Sequence, residues 1–195
     1  MSNVVVIAPM LKRLTDAALA LAGLTLTVAL VSAASPTYAA AKRASKQRAS
    51  LRPSCAAADL SLSFLGGQGA TGHGLLGFAL QNRSSTTCAT IGYPSVRFLD
   101  KAGKPLPTIP AHTTLDFFGS APLRRLRVAP GASVSFRLGV THGLTSTADC
   151  STAYGLQVIT PNGTAPLRTS IGGGVYECQQ TTVTPLQPGD SAYHE

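Results

Sequence analysis

The chain has 195 residues, 44% of them hydrophobic and only 12% charged, with 19 Gly, 13 Pro and no Trp. That length holds one domain plus accessory segments, and that balance excludes both compositional disorder and a densely charged chain. The Gly and Pro content suits a sheet protein with many turns better than a helical one. A formal net charge of +8 suggests nucleic acid or a membrane surface, but its distribution points elsewhere. Lys42, Arg43, Lys46, Arg48 and Arg52 crowd into one short tail, whereas from Cys55 onward nine basic residues meet seven acidic ones, leaving the body of the chain near +2.

At the N-terminus, Lys12 and Arg13 precede the apolar run "AALALAGLTLTVALV", and small residues, "SAASPTYAAA", follow it. This order of basic, apolar and small-residue regions reads as a secretory signal peptide over residues 1–39, cut after Ala39, with a rival cut after Ala33. Met10 is an alternative start, giving the more ordinary beginning "MLKRL". The run falls short of the ~20 apolar residues of a membrane span, and an uncleaved anchor is the competing reading. The absence of a cysteine near the cut argues against lipid attachment. Residues 40–54 read as a basic, Ala/Ser-rich disordered linker. Such a tail either holds the protein near an anionic surface by salt-sensitive attraction or serves as a solubilising spacer. Export and the lack of an interleaved aromatic and basic pattern disfavour nucleic-acid binding.

The domain proper is expected over residues 55–188, with a C-terminal tail at 189–195. Its four cysteines, Cys55, Cys88, Cys150 and Cys178, form an even set that reads as two disulfides in an exported chain; spacing alone leaves three pairings open. The flanking strands narrow the choice. "DLSLSF" alternates, with Leu60, Leu62 and Phe64 on one face, and "LLGFALQN" alternates with Leu76, Phe78 and Leu80. A Gly-rich loop, "GGQGATGHG", joins the two strands, so Cys55 and Cys88 bracket a hairpin. "VRFLD" follows as a strand with Val96 and Phe98 inward, after a Gly-Tyr-Pro corner at which Tyr93 packs its ring. "LRRLRVAPGASVSFRLGV" reads as a hairpin turning at Pro130-Gly131, with Val134, Phe136, Leu138 and Val140 on one face. "YGLQVIT" and "APLRTSI" surround "PNG", a strong hairpin-turn signal, and Cys150 and Cys178 bracket that unit. The expected pairs are therefore Cys55–Cys88 and Cys150–Cys178. "TTVTPL" reads as a short edge strand blunted by Pro185. The fold class is all-β: an antiparallel immunoglobulin-like β-sandwich of about 7–8 strands.

In order along the chain stand a Cys before "DLSLSF", a "GHG" loop, "FALQNRSSTTC", "GYPSVRFLDKAGKPL", "VAPGASVSFRL", a third Cys before "GLQVITPNG" and a fourth before the final strand. This combination resembles the actinobacterial secreted and lipoprotein domain of unknown function 4232, over Cys55 to about Pro188. The resemblance implies a β-sandwich in the envelope or outside the cell, and it implies no activity.

The chemistry-bearing residues are few. The histidines are His73, in the Gly-rich loop, His112, His142 and His194, in the tail. No G-x-S-x-G elbow accompanies them, and neither H-E-x-x-H nor paired C-x-x-C is present. A non-catalytic protein without cofactor or metal is therefore expected, with an uncharacterised hydrolase acting through His73 or His112 as the alternative. Two features read as binding surfaces. Arg124, Arg125 and Arg127, with Arg137 on the expected partner strand, suit carboxylates or phosphates, or simply guard an exposed strand face. Phe117 and Phe118 lie in the long connection "IPAHTTLDFFGSAP", where loops on a rigid sandwich carry binding. The expected role is an exported interaction module whose partner is an anionic envelope polymer or surface, or a protein.

Overall fold

The computed structural model describes residues 53–142 and 149–193. The expected signal segment, nearly all of the expected linker, and His194 lie outside them. After a 3-10 turn at Ala57–Asp59, thirteen strands follow: β1 (Leu60–Ala70), β2 (His73–Asn82), β3 (Cys88–Thr90), β4 (Ser95–Leu99), β5 (Ile109–His112), β6 (Leu115–Asp116), β7 (Gly119–Ser120), β8 (Leu126–Val128), β9 (Ser133–Thr141), β10 (Ser151–Ile159), β11 (Pro166–Glu177), β12 (Gln180–Val183) and β13 (Gln187–Pro188). Several of them are only two or three residues long. The large sheet runs β1-β2-β9-β12-β5, with β13 also on β9; a second sheet runs β11-β10-β4, and β3 and β8 form a small pair. All pairings among these strands are antiparallel except β12 with β5, so the large sheet is mixed.

The sheets share one apolar core. Leu76, Phe78, Leu80, Phe136, Leu138, Val140 and Val183 from the large sheet meet Val96, Phe98, Ala153, Leu156, Val158 and Ile171 from the second; Leu126 and Val128 close the end near the buried Cys55 and Cys88. Phe64, Phe78 and Phe136 form a ladder across β1, β2 and β9, with ring centroids 5.3 and 5.5 Å apart. Cross-strand aromatic pairs of this kind fix register as well as burying area.

The first hairpin is longer than its glycines suggest. Residues 66–70 continue β1 after a bulge at Leu65, and Ala70 pairs directly with His73. The turn is therefore only Thr71-Gly72, with Gly72 at φ +77°, and His73 opens β2 rather than sitting in a loop. The second hairpin joins β10 to β11, with Asn162 at φ +63° in its turn. A bulge between Ala153 and Gly155 puts Tyr154 half in solvent instead of on the core face with Leu156 and Val158.

Disulfides link Cys55 to Cys88 and Cys150 to Cys178. The second closes the base of the β10–β11 hairpin, one residue beyond the Ser151–Glu177 pair. Glu177 there is buried, and its carboxylate accepts the Gln179 backbone N–H at 2.8 Å. Burial raises its pKa above the ordinary 4.5, while that hydrogen bond works weakly the other way. A raised folded pKa means that the contribution of protonated Glu177 is complete below pH 4.5 and is lost as pH rises through the folded value. Glu177→Gln keeps an acceptor for Gln179 and removes the buried charge. It is expected to melt higher than the parent at pH 7, with the gap closing toward pH 4 in a series of melts; a gap independent of pH would contradict the assignment.

Three expectations are corrected by the topology. The segment 126–141 is not a hairpin: β8 pairs with β3 and β9 pairs with β2. The chain crosses between sheets at Ala129–Ala132, pinned by the fully buried Asn82, whose side chain donates to the carbonyls of Val128 (2.9 Å) and Thr86 (2.8 Å) and accepts from Ser84. β12 is no edge strand, because it lies between β9 and β5. Nor does the domain stop at Pro188: the Ala192 N–H donates to the Ser135 hydroxyl at 3.0 Å, and the Tyr193 ring lies on Gly77, where any side chain would overlap it.

Candidate functional site

Alternation predicts that one face of β2 and β9 is wet. Both faces are buried instead. The outer face carries Leu75, Gly77 and Ala79 beside Gly139, Arg137 and Ser135. It is covered by the small β6–β7 hairpin, by the residues that follow it, and by the C-terminal segment. Arg137 organises this cover. It is only 2% exposed, yet its guanidinium is well supplied with acceptors. Nε donates to Asp116 Oδ2 at 2.8 Å, and Nη2 to Asp116 Oδ1 at 2.9 Å and to the Gly119 carbonyl at 2.6 Å. Nη1 donates to the Ala192 carbonyl at 3.2 Å. The planar fork of arginine matches a carboxylate in two parallel bonds, and here the pair also stitches two distant segments to one strand. Asp116 Oδ1 further accepts the Phe118 backbone N–H at 2.9 Å.

That anchoring leaves the next two residues as a roof. Phe117 is 83% exposed, and its ring meets the half-buried Phe118 ring edge-on, with centroids 5.4 Å apart. Beneath them lies a groove of about 400 Å³, floored by β2, β9 and β12 and walled by Ala111, Leu115 and Asp116, within the size range of ligand pockets. Small residues make the room: Gly74, Ala111 and Gly139 line it, and a side chain on Gly139 would collide with the Thr182 hydroxyl. His73, at the start of β2, also lines it. A mostly apolar, aromatic-roofed surface with a few polar groups at its margins is suited to hold an organic segment.

Of the sequence-predicted residues, the fold brings together His73, Phe117 and Phe118 at this groove. Neither phenylalanine belongs to the core. Arg124, Arg125 and Arg127 are exposed on and just before β8, and Arg137 does not join them, because β8 pairs with β3. Nor is Arg137 an exposed guard of a strand edge. The other described histidines lie apart. The His112 ring stacks on Tyr93, with centroids 4.2 Å apart, and His142 Nδ1 contacts the Tyr176 carbonyl at 2.8 Å. Among the described residues no group of three His, Cys, Asp or Glu is arranged to hold a metal ion, and no helix is long and apolar enough to cross a membrane. Sequence reasoning missed Asp116, Leu115 and Thr182. One signal was available for Asp116: it is the single acid between Asp100 and Asp149, and Arg137 is the lone charge on an otherwise neutral strand.

A family model described as Domain of unknown function (DUF4232) matches residues 55–187. No curated protein and no solved structure matches the chain.

Proposed function

Since the chain belongs to the DUF4232 family, which brings no activity with it, we propose from the geometry that it is an exported, non-catalytic interaction module of the cell envelope that binds its partner in the groove under Phe117 and Phe118. The observation that carries this reading is the exposed aromatic roof, held at a fixed height over the sheet by the buried Asp116–Arg137 pair. An exposed aromatic that is anchored through its neighbours offers contact area at little entropic cost. The two disulfides support an oxidising, extracytoplasmic compartment, as does the basic-apolar-small pattern of residues 1–39. We read the sandwich as immunoglobulin-like in general plan, with binding carried by a connection on a rigid scaffold.

Hydrolysis is the second reading, because His73 and Asp116 both line the groove. Asp116 is poorly placed to orient a histidine base, since both of its oxygens are already engaged by Arg137. Binding of the purified protein to isolated cell-envelope material tests the first reading. Phe117→Ala is expected to weaken it about tenfold, the loss typical of a central aromatic contact, while leaving stability within about 0.5 kcal/mol because the ring is solvent-exposed. Unchanged binding by Phe117→Ala would remove the groove from the account. Turnover of an ester, peptide or glycoside abolished by His73→Ala would replace binding with catalysis.

A further inference from the structure

We propose that the ligand of the groove is an uncharged polysaccharide chain, one sugar ring of which stacks on Phe117 while its hydroxyls bond to Gln180, Thr182 and His73 below. This rests on the reading of the groove as the partner site and adds the chemistry of what fills it. The pattern of β12 comes first. Thr181 and Val183 are buried, at 2% and 0% exposure, and Val183 belongs to the core. Alternation therefore turns Gln180 and Thr182 to the opposite face, where the groove lies. Register sets their neighbours. Thr182 stands between Ala111 on β5 and Gly139 on β9, and its hydroxyl lies over Gly139, where a Cβ would meet it. In the next row Thr141 pairs with His73, and the Thr141 hydroxyl reaches the Gln180 carbonyl at 3.4 Å. Gln180 and His73 are exposed and Thr182 is half-buried. Among the described residues these three side chains have no hydrogen-bond partner. The floor thus offers an amide, a hydroxyl and an imidazole, each able to donate and to accept, with Gln180 and Thr182 about 7 Å apart along their strand.

Charge decides the class of ligand. Of the residues lining the groove only His73 and Asp116 can ionise, and both Asp116 oxygens are held by the buried Arg137. A phosphate or carboxylate polymer finds no fixed cation here, and a cationic one finds no free carboxylate. A sugar ring needs neither. It carries hydroxyls around its rim and a face of C–H groups, whose slightly positive hydrogens suit the negative face of an aromatic ring. Phe117, 83% exposed, supplies that ring above the polar floor. An extended peptide is the competing ligand, since β5 ends the large sheet. The N–H groups of Ile109 and Thr113 are spent on the carbonyls of Gln179 and Val183, which leaves the free edge to the backbone of Pro110 and His112. Pro110 has no N–H to donate, so a strand added there would lack a rung of its ladder. The geometry favours the sugar.

Titration of the purified, isotope-labelled protein with neutral tetrasaccharides of glucose, mannose, galactose and N-acetylglucosamine, followed through its backbone amide resonances, tests the assignment. At least one of them is expected to bind and to shift Gly139, Gln180 and Thr182 while leaving Arg168, on the other sheet, unmoved. Its affinity should change by less than about twofold between 50 and 500 mM salt, because no ion pair forms. Phe117→Ala should weaken it at least about tenfold. Gln180→Ala and Thr182→Val should each cost about three- to tenfold, the loss of one neutral hydrogen bond, and both variants should melt with the parent. The proposal is overturned if none of the four sugars binds, if binding falls steeply with salt, or if the shifts gather away from the groove. The reading beneath it fails in a different way. If Phe117→Ala binds envelope material like the parent, the groove is the wrong site. If Phe117→Ala loses envelope binding while no sugar shifts the floor, the groove stands and its ligand is not a sugar; loss of binding after protease digestion of the envelope material then makes the partner a protein.

Discussion

Arg137→Ala lowers the stability of the fold by about 3–5 kcal/mol, the usual cost of removing one partner from a buried ion pair. The size of the loss follows from what stays behind. Asp116, its carboxylate also largely buried at 9% exposure, would keep its charge without a counter-ion, and the carbonyls of Gly119 and Ala192 would each lose a donor. Arg137→Lys is expected to recover only part of this, because a point ammonium cannot reproduce the fork that grips both Asp116 oxygens. Paired replacement, Arg137→Met with Asp116→Leu, should be milder than either single change, since no charge then remains buried. Urea unfolding measures each of these variants. With a slope of about 1–3 kcal/mol per molar urea for a domain of this size, Arg137→Ala should move the midpoint by more than about 1 M. A shift too small to resolve would mean that the guanidinium is solvated. The same variant should weaken envelope binding even where it remains folded, because the Phe117–Phe118 roof loses its anchor.

Loss of the disulfides is the second large effect. The cross-links close loops with sequence separations of 33 and 28, and the chain-entropy relation assigns each about 3.5–4 kcal/mol. Removing one pair, as Cys150→Ser with Cys178→Ser, should lower the melting temperature by about 10 °C or more, given about 2–4 °C per kcal/mol for a chain of this length. Removing both takes away about 7 kcal/mol, a large part of the 5–15 kcal/mol that holds a typical domain together, so the four-Ser protein should be largely unfolded at 37 °C. Cys55–Cys88 has a further consequence that its partner lacks: it fixes Ser54 beside Ala89. Full reduction with no change in melting would contradict the role given to both bonds.

The local parts of this architecture are legible in the sequence. Alternation marks β2, β4, β9 and β10, because each strand puts every second side chain into the shared core. A hairpin brings its own two ends together, so residues flanking it, such as Cys150 and Cys178, become neighbours by local geometry. What is hidden depends on partners distant in the chain. Nothing in "LRVAPGASV" says that β8 will leave β9 for β3, and the choice is made by Leu126 and Val128 completing the core beside Cys88. Arg137 reads as a surface charge because isolated arginines are seldom buried; only the return of residues 113–123 and 189–193 over the sheet converts it into an anchor. For the same reason Phe117 and Phe118 are recognisable as candidates while the groove they roof is not, since its floor comes from three strands that meet only in the folded chain. The near-continuous apolar run "GLLGFAL" was the available hint that β2 is covered on both faces.

The central claim is that the Phe117 ring, held over the sheet through Asp116 and Arg137, touches the partner. Photo-crosslinking is its most direct test: a benzophenone amino acid replaces Phe117 in the purified protein, a second version carries it at Arg168 on the opposite sheet, and both are irradiated in contact with isolated cell-envelope material. The expected result is a light-dependent adduct from position 117 that disappears in the Asp116→Asn background, and none from position 168. Adducts from position 168 with none from position 117 would contradict the claim.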